Sequence, residues 1–155
     1  MRRDRVPISS IEDITTKDYR PGGCTPLYDA MGKTLNEMEG LIHEDDRVFA
    51  TVITDGMENS STEYSGRIIK TMVDRLRKNG WMLAYIGANQ DAIEVARDLH
   101  ISNALNYHAT PEGTAYMACR IVKAHRKSSQ MFASDIDARS LGTFDMLFED
   151  EEEKN

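Results

Sequence analysis

Hydrophobic and polar positions follow two rhythms through the middle of the chain. Between Pro26 and Ile42, apolar residues fall at Leu27, Ala30, Met31, Leu35, Met38 and Leu41, close to the repeat of a helix with one buried stripe. Thr25 followed by Pro26 suits the start of that helix, a capping hydroxyl and then a proline where no donor is needed. Within Arg47 to Thr54, the run Val48-Phe49-Ala50-Thr51-Val52-Ile53 shows no polar alternation. It predicts a strand covered on both faces, as parallel strands are. Helical spacing returns from Thr62 to Lys78 through Ile68, Ile69, Met72, Val73 and Leu76, and Asn79-Gly80 offers a left-handed exit.

Trp81 to Gly87 forms a second buried-strand pattern. Asp91 then caps a short helix to His100 that carries Ile93, Ala96 and Leu99, and Ala104 to His108 reads as a third strand. Thr110-Pro111 repeats the cap-plus-proline start and opens a helix through Ala118, Ile121 and Val122 towards His125. Strands alternating with helices predict an α/β fold with right-handed crossovers, a mostly parallel sheet and helices on both faces. The chain divides into an N-terminal segment, residues 1–24, with a candidate short edge strand at Arg5 to Ser9; an α/β core, 25–127; and an irregular C-terminal segment, 128–155, ending in an acidic tail.

Composition narrows this picture. A chain of 155 residues has room for one packed core, and 40% hydrophobic with 29% charged residues suits a globular protein. The net charge of −7 argues against a nucleic-acid binder, although part of it lies in the solvated end Glu149-Asp150-Glu151-Glu152-Glu153. Met1 to Pro7 is basic but leads into no apolar run, so it is not a secretory signal, and no stretch is long enough for a membrane span. Cys24 and Cys119 are too few for a disulfide framework or zinc ribbon. A cytoplasmic protein follows, in which the sequon Asn59-Ser60-Ser61 is incidental.

Ligands of open parallel sheets bind beyond the carboxyl ends of the strands. Asp55 follows the first clear strand, Asn89, Gln90 and Asp91 follow the second, and Thr25 should lie near the same edge. Gly22 and Gly23 permit unusual backbone angles and close approach of a ligand there. A hydroxyl and a carboxylate from separate loops suit a hard cation such as magnesium, with further ligands from elsewhere or from water. Plainer readings stand beside these. Thr25 can be only a helix cap, Asp55-Gly56 a turn, Asn59 and Ser60 to Thr62 the start of the next helix, and Cys24 a small filler. His100 and His125 read as helix-surface residues, and Glu58 has the chemistry of a general acid or base without an evident partner. No nucleophile elbow or phosphate-binding Gly-rich loop occurs, so neither a catalytic residue nor an organic cofactor site is assigned.

Taken together, Gly22-Gly23-Cys24-Thr25-Pro26-Leu27-Tyr28-Asp29-Ala30 and Val52-Ile53-Thr54-Asp55-Gly56-Met57-Glu58-Asn59 resemble the von Willebrand factor A domain. The closer likeness is to intracellular bacterial and phage-associated members of that superfamily. The stretches Gly80 to Ala92 and Asn106-Tyr107-His108-Ala109 fit those members too, and the likeness spans about residues 5–127. The resemblance implies a Rossmann-like three-layer sandwich with a metal-ion-dependent adhesion site at its top. Such a site holds magnesium, for which manganese or calcium could substitute, and an acidic side chain of a protein partner completes the coordination. Thr25 matches the threonine ligand of the family's second loop, and Asp55 the aspartate of the third, which acts through a coordinated water.

The family's first loop, Asp-x-Ser-x-Ser, has no counterpart in the 24 residues before Thr25. Asp135-Ile136-Asp137-Ala138-Arg139-Ser140 carries carboxylates, but no β run leads into it. The chain thus resembles the family without its first strand, first helix and second strand. The resemblance implies a non-catalytic protein-binding module with an incomplete metal site. It also implies an open apolar edge on the strand ending at Asp55, to be covered by Arg5 to Ser9, the C-terminal segment, a second copy or a missing N-terminal half. The alternative is a magnesium-dependent phosphohydrolase or phosphotransfer domain using Asp55. Against it, haloacid-dehalogenase-type enzymes want a second aspartate where Met57 stands, and receiver-like domains want an acidic pair after the first strand.

Overall fold

Apolar spacing becomes seven helices and strands in the computed structural model, which describes residues 7–13, 15, 17, 22–88, 91–134 and 147–148. In chain order these are α1 (Leu27–Glu39), β1 (Phe49–Thr54), α2 (Gly66–Lys78), β2 (Met82–Ala88), α3 (Ala92–Asp98), β3 (Asn103–Tyr107) and α4 (Pro111–Ala133). The strands form one parallel sheet in the order β1-β2-β3, with Val52 beside Tyr85 and Tyr85 beside Ala104. None of the described helices is long and apolar enough to cross a membrane.

All seven residues of β2 are buried because the strand is central and both its faces are covered. Successive side chains point to opposite faces. Leu83 and Tyr85 therefore join the larger core with Leu27, Met31 and Leu35 of α1, Ile69, Val73 and Leu76 of α2, and Ala96 of α3. Met82 points the other way, into a smaller core with Ala124 and Met131 of α4 and with Leu147. Asn103 ties this layer together: its buried amide donates to Leu83 O (3.1 Å) and accepts from Leu147 N (3.0 Å). Helices on both sides of a parallel sheet are thus the observed architecture.

Several local expectations hold. Gly80 takes the left-handed exit after α2 with φ 84°, Asp91 caps α3 by accepting from Glu94 N, and Thr110 caps α4 by accepting from Gly113 N. Others do not. The residue at the N-cap of α1 is Pro26, and no side chain caps that helix in the local sense, so Thr25 is not its cap. The helix also stops at Glu39, short of Ile42. Asn59 and Ser60 to Thr62 do not open α2, which begins at Gly66 behind the capping hydroxyl of Ser65.

Ile8–Ser10 is a 3-10 turn and not part of an edge strand, while Arg5 and Val6 lie outside the described residues. His100 lies beyond α3 in the left-handed region at φ 60°, not on a helix surface. Ile93 and Val122 face outward, at 58% and 59% exposure. The buried stripe of α4 is Arg120, Ala124, Ser128 and Met131, a partly polar set that hydropathy alone does not reveal. That helix continues to Ala133, past the boundary expected at residue 127. The stretch Asp135 to Ser140 and the acidic tail lie outside the described residues.

β1 departs from its expected cover. Its inner edge pairs with β2, but among the described residues no strand pairs with its outer edge. Ile53 is 51% exposed, so its face is not covered there, whereas its register partner Ile86 is fully buried.

Candidate functional site

The carboxyl end of β1 is shaped by Thr54. Its buried hydroxyl accepts from Gly56 N (3.2 Å) and donates to Gly56 O (2.8 Å), closing a tight turn with Asp55 exposed at the apex. Turn and candidate ligand are therefore the same feature. The turn meets Thr25: a Cβ built on Gly56 would stand 2.7 Å from Thr25 Oγ1, closer than side chains tolerate. Glycine at 56 is what lets the threonine hydroxyl lie against the turn, one residue past Asp55. Gly22 and Gly23 adopt φ of 132° and 100°, the unusual backbone angles that favour glycine, and, chain neighbours aside, no atom of the described residues lies within 4 Å of a built Cβ at either.

Asn59 pins the same threonine by its backbone. Thr25 N donates to Asn59 Oδ1 (2.8 Å), and Asn59 N donates to Thr25 O (3.2 Å). The first amides of a helix have no partners within it. In α1, Leu27 N donates to Thr25 O (2.9 Å), while Tyr28 N and Asp29 N are answered from thirty or more residues downstream, and the Thr25 side chain caps neither. Glu58 Oε2 accepts from Tyr28 N (2.8 Å) and Ser61 Oγ (2.7 Å), while Oε1 accepts from Ser60 N (2.8 Å) and Ser61 N (2.7 Å). Asp29 N donates in turn to Ser61 Oγ (3.0 Å).

Asp29 makes the reciprocal connection. From the first turn of α1, its buried carboxylate accepts from Thr62 N (2.9 Å), Glu63 N (2.9 Å) and Tyr64 N (2.8 Å). Glu58 thus holds an amide in the first turn of α1, and Asp29 of that turn holds three amides of the loop before α2. The amides hold both acids in the ionised form. The Thr62 N–H, against some burial and aided by Tyr64, Glu63 and Lys33, lowers the pKa of Asp29. Burial by itself would raise that of Glu58, but the hydroxyl and amide of Ser61 and the amides of Tyr28 and Ser60 bring it down to about 2. Tyr28 is pushed upward by burial and by the nearby charges of Glu58 and Asp98.

Packing backs this network. The Tyr64 ring packs against Gly32 of α1, where a Cβ would overlap its ring carbons, and its hydroxyl accepts from Asn36 Nδ2 (2.9 Å). Lys33 pairs with Glu63 beside it.

Of the residues singled out from sequence, Thr25 and Gly56 meet, and Asp55 stands next to that contact. Asp91 serves as the cap of α3. Asn89 and Gln90 lie outside the described residues. Cys24 is exposed and does not fill the core. Glu58, an ionised acid bound by four donors, is a poor proton acceptor at neutral pH; its role is structural. Asp29 carries little sign of this role in the sequence. An acid in a first helical turn is ordinary, and only Gly32 one turn on hints that something packs closely against that side of the helix.

As a donor set for a cation, Thr25 and Asp55 supply one hydroxyl and one carboxylate. Among the described residues, no group of three or more His, Cys, Asp or Glu is placed to hold a metal ion. Magnesium prefers a full octahedron of oxygens, so water or a partner would have to supply most of it. Compared with family models, curated proteins and solved structures, the chain matches none.

Proposed function

We propose that this chain is a non-catalytic protein-binding module of the von Willebrand factor A type, with an incomplete metal-ion-dependent adhesion site. The observation that supports this reading is the meeting of Thr25 Oγ1 with Gly56, directly beside exposed Asp55, at the carboxyl edge of the sheet. Thr25 and Asp55 would hold a magnesium ion that keeps several waters, and an acidic side chain of a protein partner would take one of the open positions. Manganese or calcium would substitute. Asp29 and Glu58, occupied by backbone donors, are spent as ligands. With one charged protein ligand, affinity for the free ion is low and the partner's carboxylate contributes much of it.

The outer edge of β1 is the second contact region in this reading. It takes a strand from a second copy or from a separate N-terminal half. The two exposed free cysteines fit a reducing compartment, the cytoplasm.

Calorimetric titration with Mg2+ and Mn2+ tests the proposal. Millimolar binding lost on Asp55→Ala is the expected result. Micromolar binding abolished by that change would show a complete site, and binding indifferent to it would remove Asp55 from the site. Turnover of a generic phosphoester, lost on Asp55→Asn, would overturn the non-catalytic reading in favour of a magnesium-dependent phosphohydrolase.

A further inference from the structure

We infer that Glu58, Asp29 and Asn59 are positioning residues, which set Thr25 and Asp55 in one arrangement before any cation or partner arrives. The inference rests on the reading of those two residues as a ligand pair, but its own support is separate. Residues 22–26 and 55–65 have no regular secondary structure to order them. An ion that had to gather two such loops would lose binding energy to their ordering. Here the ordering is already supplied by side chains. Glu58 takes three amides and a hydroxyl, Asp29 takes three amides, and Asn59 exchanges two hydrogen bonds with the backbone of Thr25.

The links also follow one another in space. Asn59 and Glu58 are neighbours in the chain, so the residue that fixes Thr25 adjoins the residue that fixes the first turn of α1. Ser61 joins both sides, accepting from Asp29 N while donating to Glu58. Asp29 then holds the far end of the loop at Thr62, Glu63 and Tyr64. No link in this chain of contacts uses an oxygen of Asp55 or the hydroxyl of Thr25. Those two groups are left available at the place where the clamped loops meet.

The test uses the full chain in cation-free buffer, with amide exchange followed by NMR, and then Mn2+ as a paramagnetic probe. In the wild type the amides of Thr25, Tyr28 and Tyr64 should be protected without any cation. Glu58→Gln leaves one acceptor oxygen where two were used. It should speed exchange at Tyr28 and Thr25 by about tenfold while Val73 and Tyr85 are unchanged, the pattern of a local opening. Broadening of the Asp55 and Gly56 signals should then require about tenfold more Mn2+, a loss of pre-organisation. That comparison is made at a temperature where both proteins are folded, so a merely structural role would not move it.

Free exchange of the wild-type amides, or an unchanged Mn2+ requirement in the variant, would overturn the inference. Protected amides with no Mn2+ broadening in the wild type would instead overturn the cation reading and leave the preformed geometry standing. Should Glu58→Gln not fold, Asn59→Ala removes only the acceptor of Thr25 N. It must raise exchange at Thr25 and the Mn2+ requirement together, or the inference fails.

Discussion

The loop after β1 and the outer edge of β1 adjoin in the chain, yet they meet the backbone's demand for hydrogen bonds in opposite ways. In the loop, irregular amides from Ser60 to Tyr64 end on two carboxylates, Glu58 and Asp29. Along the edge, the backbone is regular, but its outward donors and acceptors meet no strand among the described residues. The first solution works only with these side chains at these places. The second is generic, because any extended strand offers the same pattern. Sheet edges are commonly guarded by a lysine, a proline or a bulge. Phe49-Ala50-Thr51-Val52-Ile53-Thr54 has neither lysine nor proline, and it pairs with β2 in unbroken register. Specificity therefore belongs to the loop, and capacity for association belongs to the edge.

The strongest way to break this contrast is Glu58→Ala. It strips the acceptor from Tyr28 N, Ser60 N and Ser61 N and should cost about 3 kcal/mol at neutral pH. Urea unfolding would show a lower midpoint at an unchanged slope. The same acid gives a pH signature. Its folded pKa is depressed, so its contribution is present above the ordinary value of 4.5 and is lost as pH falls towards about 2. Stability of the wild type should decline through that window, and the decline should be shallower in the variant. Asp29, depressed for the same reason, contributes to the decline that remains.

A smaller effect is expected from Gly32→Ala. Helix propensity would favour alanine by about 1 kcal/mol. The new methyl, however, meets the Tyr64 ring, and overpacking of this kind costs about 1–3 kcal/mol. Thermal unfolding should show net destabilisation that disappears in a Tyr64→Ala background, since the two positions are coupled only through that contact. Smallest for stability, and most informative about the edge, is Ile53→Lys. At a half-exposed position it should change stability by no more than about 0.5 kcal/mol. Sedimentation should show concentration-dependent association of the wild type, reduced in the variant. A wild type that stays monomeric throughout would mean that the edge does not recruit a second copy.

How far the site could be read in advance varied by residue. Asp55 was legible because a β-branched run ending in Asp-Gly signals a strand end and a turn. Thr25 was legible as a residue near the same edge, but its local reading as a cap was misleading. A cap is inferred from neighbours within one turn, whereas Tyr28 N and Asp29 N of α1 are answered by Glu58 and Ser61, thirty or more residues later. Asn59 to Thr62 looked like a helix start for the same reason, since the polar residues that favour caps also favour loops. Asp29 stayed hidden because an acid in a first helical turn is ordinary, and Gly32 is the one residue of its helix that hints at close packing there.

The sequence by itself determined the alternation of helices and strands, the burial of the uniformly apolar β2, the left-handed exit at Gly80 and the caps at Asp91 and Thr110. Each depends on residues a few positions apart, so local pattern suffices. Tertiary structure alone decided which carboxylates hold which amides, why glycine is needed at 32 and 56, which stripe of α4 is buried, and that Ile53 of β1 lies half exposed. Those features join segments up to thirty-five residues apart or depend on a strand's neighbours, and such meetings exist only once the sheet has brought the loops to one edge.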